Sequence, residues 1–138
     1  MPDRLLVNNI GAADDLADTI LYSSLAWAIT RNTTYAQRVN DAVDRWFVDS
    51  STRMNPNLNY AQLIRGPREN GEEIRGSRTG ILDLKNLVKI ASGIEVLRKG
   101  AAEGWSTAVD EGLTTWMRDY EAWLMTNDLA LEEKASDK

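Results

Sequence analysis

The chain has 138 residues, 43% of them hydrophobic and 27% charged, the size and balance of one globular domain, which excludes an intrinsically disordered polymer. Its net charge of −5 argues against nucleic acid as a partner, because displacing counterions from a phosphate backbone needs a concentrated basic face. With no cysteine and no histidine, disulfides, thiolate metal sites and imidazole chemistry are all excluded, and anything done by this chain alone falls to carboxylates, Tyr, Lys and Arg.

No apolar run approaches the roughly 20 residues needed to span a bilayer, so no membrane partner is expected, and Met1-Pro2-Asp3-Arg4 leads into no signal-like segment. Residues 1–13 hold Leu5-Leu6-Val7, then Asn8-Asn9 and Gly11, without a period that assigns an element. From about 14 to 30, Leu16, Ile20, Leu21, Tyr22, Leu25, Trp27 and Ile29 keep helical spacing, and Asp14, Asp15 and Asp18 suit the positive end of a helix dipole. Asn32-Thr33-Thr34 follows, a glycosylation acceptor pattern where an exposed turn is expected, although so short a triplet is common by chance.

Asn32 or Thr33 can cap a second helix over about 34–48, whose positions Tyr35, Val39, Ala42, Val43, Trp46 and Phe47 form the cleanest amphipathic stripe. The short link predicts an antiparallel hairpin with the first helix. Residues 50–80 then show no helical period. Loops longer than about 12–15 residues are uncommon in compact domains and usually functional or disordered, so function is sought here. Residues 51–80 carry Arg53, Arg65, Arg68, Arg75 and Arg78 against Glu69, Glu72 and Glu73, a balance of +2 that leaves −7 on the rest. A basic loop on an acidic body suits an anionic ligand.

Asp83 can open a third helix over about 83–98, with Leu84, Leu87, Val88, Ile90, Ala91, Ile94 and Leu97 on a broad apolar face. Gly93 inside it costs about 1 kcal/mol relative to alanine, which points to a close helix contact. Ser106 or Thr107 can cap a fourth helix over about 107–126, bearing Val109, Leu113, Trp116, Tyr120, Trp123 and Leu124 on one side. The tail from residue 129 to 138 is polar and reads as frayed. No strand, repeat or low-complexity segment stands out, so the expected fold is all-α: antiparallel helical hairpins around one long irregular loop.

Several pieces together carry a resemblance: Tyr35-Ala36, Trp46-Phe47, Thr52-Arg53-Met54-Asn55-Pro56-Asn57-Leu58, Tyr60-Ala61-Gln62, Gly80-Ile81-Leu82-Asp83-Leu84, Trp105-Ser106, Trp116, Tyr120 and Trp123-Leu124. In this order the chain resembles the alginate lyase family of polysaccharide lyases. The resemblance implies part of an (α/α) toroid, or incomplete barrel, in which helical hairpins ring a groove for a uronic-acid polymer. It implies cleavage by β-elimination: the uronate carboxylate is neutralised, the proton alpha to it is removed, and the glycosidic oxygen leaves with a proton from an acid, commonly Tyr. In the family an Asn-Asn-His motif follows soon after the helix matching Trp116 to Leu124, whereas this chain ends at Lys138 without it. The expectation is therefore the N-terminal portion of a larger lyase-like domain, without catalytic residues of its own. A non-catalytic carbohydrate-binding or helical interaction module, and a truncated product without independent function, are the alternatives. The family implies a secreted parent; the sequence itself leaves the location unknown.

Within that frame Asn57, Tyr60, Gln62, Arg65 and Arg75 are the candidate substrate contacts. A guanidinium fork holds a carboxylate bidentately and stabilises developing enolate charge, and a phenol beside guanidinium groups can exchange protons or meet a sugar ring. Loop arginines also pair with loop glutamates. Asn55, Asn57, Asn59 and Gln62 suit sugar hydroxyls and equally suit holding turns. Trp27, Trp46, Trp116 and Trp123 fall on helical stripes and read as core, while Trp105, in a turn, reads as the most exposed. The carboxylate pairs Asp14-Asp15, Asp110-Glu111 and Glu132-Glu133 diverge by about 100° on a helix and form no acid and base pair. No cofactor and no metal pattern is expected. A cut toroid would leave apolar helix faces open, which predicts self-association.

Overall fold

A computed structural model of the protein describes residues 9–63 and 74–136. Five α-helices appear: α1 Asn9–Thr30, α2 Thr33–Val43, α3 Leu87–Lys99, α4 Thr107–Thr126 and α5 Asp128–Ser136. A π-helical turn, Asp44–Val48, continues α2, and a 3-10 helix, Arg78–Leu84, precedes α3. No strand is present among the described residues.

The first hairpin forms as expected. Arg31, in the left-handed region at φ 57, reverses the chain and lays its guanidinium 4.7 Å from the centroid of Trp27. Asn32 caps α2 by accepting from the Thr34 N–H at 3.0 Å. Val39, Val43 and Phe47, each four residues apart, are buried, so the π turn keeps the stripe facing inward while Asp49 N–H closes it on the Asp44 carbonyl.

α3 lies along α1 and runs the same way. Asn86 bonds Asp14, Lys89 Nζ meets Asp18 Oδ1 at 2.6 Å, Gly93 reaches Ile20 and Ser24, and Gly100 reaches Trp27. A Cβ at Gly93 would sit 3.1 Å from Ser24 Oγ and 3.2 Å from Ile20, so the glycine is where the close approach expected of it occurs. α4 opens on Ser106, whose Oγ accepts from Val109 N–H at 3.2 Å, and it buries Val109, Leu113, Trp116 and Tyr120. Arg98 ties α3 to α4 through Asp110 at 2.7 Å and Thr114 at 3.1 Å.

Two sequence expectations, on the tail and on Asp83, are corrected. The tail is the helix α5, because Asn127 Oδ1 accepts from Leu129 N–H at 3.0 Å to start it and Leu129 and Ala130 are buried. Asp83 does not open α3. It is buried in the 3-10 helix, and α3 starts at Leu87. Trp105 is half-buried, its indole N–H donating to Asp110 Oδ1 at 3.1 Å. The α1 side chains Tyr22, Leu25 and Ile29 remain exposed. Among the described residues no helix is long and apolar enough to cross a membrane.

Candidate functional site

The aperiodic segment is fastened to the helices at close intervals. Asp49 accepts from the main-chain N–H and the hydroxyl of Ser51 at 2.9 and 2.8 Å, and these bonds hold its carboxyl below the usual carboxylate range. Met54 N–H returns to the Trp46 carbonyl at 3.0 Å, and the Met54 carbonyl accepts from the Trp116 indole at 2.8 Å. Asn59 Oδ1 takes two donors, Trp123 Nε1 at 2.9 Å and Asn127 Nδ2 at 3.3 Å. The loop thus lies across α4 and is gripped by that helix at two tryptophans.

Those tryptophans belong to a ladder set by helical spacing. Phe47 meets Trp116 edge-on at 4.8 Å, Trp116 stacks on Tyr120 at 5.4 Å, and Tyr120 stacks on Trp123 at 5.9 Å. Positions 116, 120 and 123 share one helix face, which is why the rings meet. Burial, and then the charge of Asp83, push the Tyr120 phenol from 10.0 up to about 12. Below pH 10 the phenol is neutral in both folded and unfolded chains. Between 10 and 12 the unfolded chain ionises first, so stability is expected to fall across that window. Denaturant titrations over this range, with Tyr120→Phe alongside, check it: the wild type should lose stability more steeply than the variant, and parallel curves would remove Tyr120 as the cause.

The second arm of the loop pairs with the first. Gly76 N–H donates to the Asn59 carbonyl at 2.6 Å and Ser77 N–H to the Ala61 carbonyl at 3.0 Å. This pairing sets Arg75 beside the Asn59 to Ala61 arm. Tyr60, between the two paired positions, is 67% exposed. The Arg75 side chain is 59% exposed and stands 3.7 Å from Glu132 of α5, and Arg78 stands 3.5 Å from Glu133.

Gln62, a candidate sugar contact, faces inward instead. At φ 49 and buried, its amide donates to Asp83 Oδ1 at 2.7 Å and accepts from the Thr79 hydroxyl at 2.9 Å. Its amide serves to lock the loop onto the 3-10 helix. Asn57 is half-buried and accepts from the Asn59 N–H at 3.3 Å, a local turn. Arg65 lies outside the described residues, as do Arg68, Glu69, Glu72 and Glu73. Of the five candidates, the structure therefore presents Tyr60 and Arg75 outward, keeps Asn57 at the turn beside them and encloses Gln62.

Arg53 was not among the candidates, yet it is exposed and makes no ion pair among the described residues. With Pro56, Thr115 and Asp119 it rims a hollow of about 180 Å³ floored by Phe47 and Trp116. Its place in the sequence, just before the Met54 anchor, was the available signal. A second hollow of about 190 Å³, behind the loop, is lined mainly by Ile10, Trp46, Met54, Leu58, Ala61 and Leu84. Among the described residues no cluster of three or more Asp or Glu side chains is arranged to hold a metal.

Against known proteins, the family profile described as alginate lyase matches residues 1–137. A solved structure of an alginate lyase from Bacteroides ovatus superposes with a TM-score of 0.82 at 23% identity, covering 97% of this chain and 33% of that one. The chain thus spans about a third of the length of that structure, and the likeness shows the shared helical, toroid-type fold. No curated protein matches the chain.

Proposed function

Because the chain belongs to the alginate lyase family, we propose that its loop face forms one wall of a groove for a uronic-acid polysaccharide, and that the enzyme built on this fold cleaves such a chain by β-elimination. Arg75 and Arg53 receive uronate carboxylates, Tyr60 lies against a sugar ring, and Asn57 and Arg65 extend the same face. Gln62 supports these contacts from beneath.

The observation that carries this reading is the state of the guanidinium groups. Arg53 is unpaired among the described residues, and the partners of Arg75 and Arg78 are exposed carboxylates at 3.7 and 3.5 Å. Exposed pairs of this kind contribute about 0–1 kcal/mol, so a polymer with a carboxylate on each residue competes with Glu132 and Glu133 at little cost. A bidentate guanidinium contact is directional as well as charged.

Binding, not turnover, is the activity proposed for this chain alone. It holds no histidine, and the buried Tyr120 phenol keeps its proton up to about pH 12, far above where a base removing the proton alpha to a carboxylate works at neutral pH. Titration calorimetry with oligoalginate and oligoglucuronate is expected to show binding that weakens with salt. Arg75→Gln and Arg53→Gln are each expected to weaken it by about tenfold, in line with about 1.4 kcal/mol per charged contact. An uncharged glucan of equal length should not bind. Equal affinity for that glucan would overturn carboxylate recognition, and appearance of the unsaturated uronate's ultraviolet absorbance would show that the chain carries its own base.

A further inference from the structure

We propose that Asn32 is the acceptor of an N-linked glycan when the protein passes through a secretory route. Asn32-Thr33-Thr34 is the sole Asn-X-Ser/Thr triplet in the 138 residues; its asparagine lies on the two-residue link between α1 and α2, and Thr33 and Thr34 open α2. Asn32 and Thr34 are both exposed. The left-handed Arg31 turns the chain just before the triplet, and Asn32 itself is extended at φ −79 and ψ 115, so the acceptor stands out from the hairpin tip.

The side chain divides its work between its two atoms. Oδ1 accepts from Thr34 N–H at 3.0 Å and caps α2, whereas Nδ2 has no partner among the described residues. Transfer forms a bond from Nδ2 to the anomeric carbon of a sugar carried on a lipid diphosphate. The anomeric C–O bond breaks, its electron pair leaves with the diphosphate, and Nδ2 gives up one of its two protons. Oδ1 is untouched, so the cap survives modification. The hydrogen bond at Oδ1 also draws amide electron density toward oxygen and makes the Nδ2 protons more acidic, the direction the transfer requires.

The position also suits a bulky modification. α1 has 22 residues and so is about 33 Å long at 1.5 Å per residue. Its opposite end, at Asn9, Ile10 and Ala13, lines the hollow behind the loop. A glycan on Asn32 therefore leaves the loop face open.

The test is secretion of the full chain from yeast behind a heterologous signal, followed by peptide mass mapping with and without peptide N-glycosidase. A glycan on the Asn32 peptide, removed by the enzyme with conversion of Asn32 to aspartate, is the expected result. Thr34→Ala should abolish it without lowering the melting temperature, because the cap uses the main-chain N–H of residue 34, and Thr34→Ser should retain it. An unmodified Asn32 peptide in folded, secreted protein overturns the proposal, as does a glycan that persists in Thr34→Ala. Neither outcome bears on polysaccharide binding.

Discussion

Trp116→Ala is expected to lower stability by about 3–5 kcal/mol, the range for removing a large buried aromatic side chain. The indole is 3% exposed, meets Phe47 edge-on and Tyr120 face-on, and donates to the Met54 carbonyl at 2.8 Å. Its removal opens a cavity in the core and takes the donor from that half-buried carbonyl, two costs that add. Domains of this size are stable by only about 5–15 kcal/mol, so the variant should melt far below the wild type. Trp116→Phe separates the two contributions: it keeps a ring in the stack and loses the hydrogen bond, with an expected cost of about 1–3 kcal/mol. Urea unfolding followed by far-ultraviolet dichroism measures both. A loss under about 1 kcal/mol for Trp116→Ala would mean that the ladder does not support the core.

Gly76→Ala is expected to act on the loop. The Cβ it adds would lie 2.4 Å from the Ala61 carbonyl oxygen and 2.8 Å from the Ala61 nitrogen. Both are main-chain atoms, so no rotamer change relieves the clash and the two arms must part. Parting breaks Gly76 N–H to Asn59 O and Ser77 N–H to Ala61 O. Overpacking of this kind costs about 1–3 kcal/mol. The functional consequence should exceed the stability one: Arg75 leaves its place beside Tyr60, and binding of oligoalginate is expected to weaken at least as much as in Arg75→Gln. Helix content should stay within error of the wild type. Gly93→Ala is the control, since the nearest atom it meets is the rotatable Ser24 Oγ at 3.1 Å; its effect should be smaller and confined to stability. Fast hydrogen exchange at the amides of Gly76 and Ser77 in Gly76→Ala, with α4 still protected, would show that only the loop has opened.

The parts of the fold that were legible in the sequence are those built on a local period. The stripe Val39, Val43 and Phe47 and the stripe Val109, Leu113, Trp116 and Tyr120 became buried faces, because spacing of three and four residues places side chains on one side of a helix whatever it packs against. The caps at Asn32 and Ser106 are equally local. What stayed hidden depends on partners distant in the chain. Gln62 reads as a polar loop residue, and its bonds to Thr79 and Asp83, 17 and 21 positions away, hold it inward. The latter bond anchors Asp83 within the 3-10 helix Arg78–Leu84, whereas the sequence placed Asp83 at the start of the third helix. α5 was missed because its two buried residues, Leu129 and Ala130, are adjacent and mark no period. Among the described residues, 49–63 and 74–77 are non-helical, but a sequence cannot say which of their polar groups point out.

The shared oxygen of Asn59 has a mechanical consequence. One atom receives Trp123 from the last turns of α4 and Asn127 from the joint between α4 and α5, so the crest that carries Tyr60 is riveted where two helices meet. A load applied at this crest would therefore pass through one oxygen into the joint between α4 and α5.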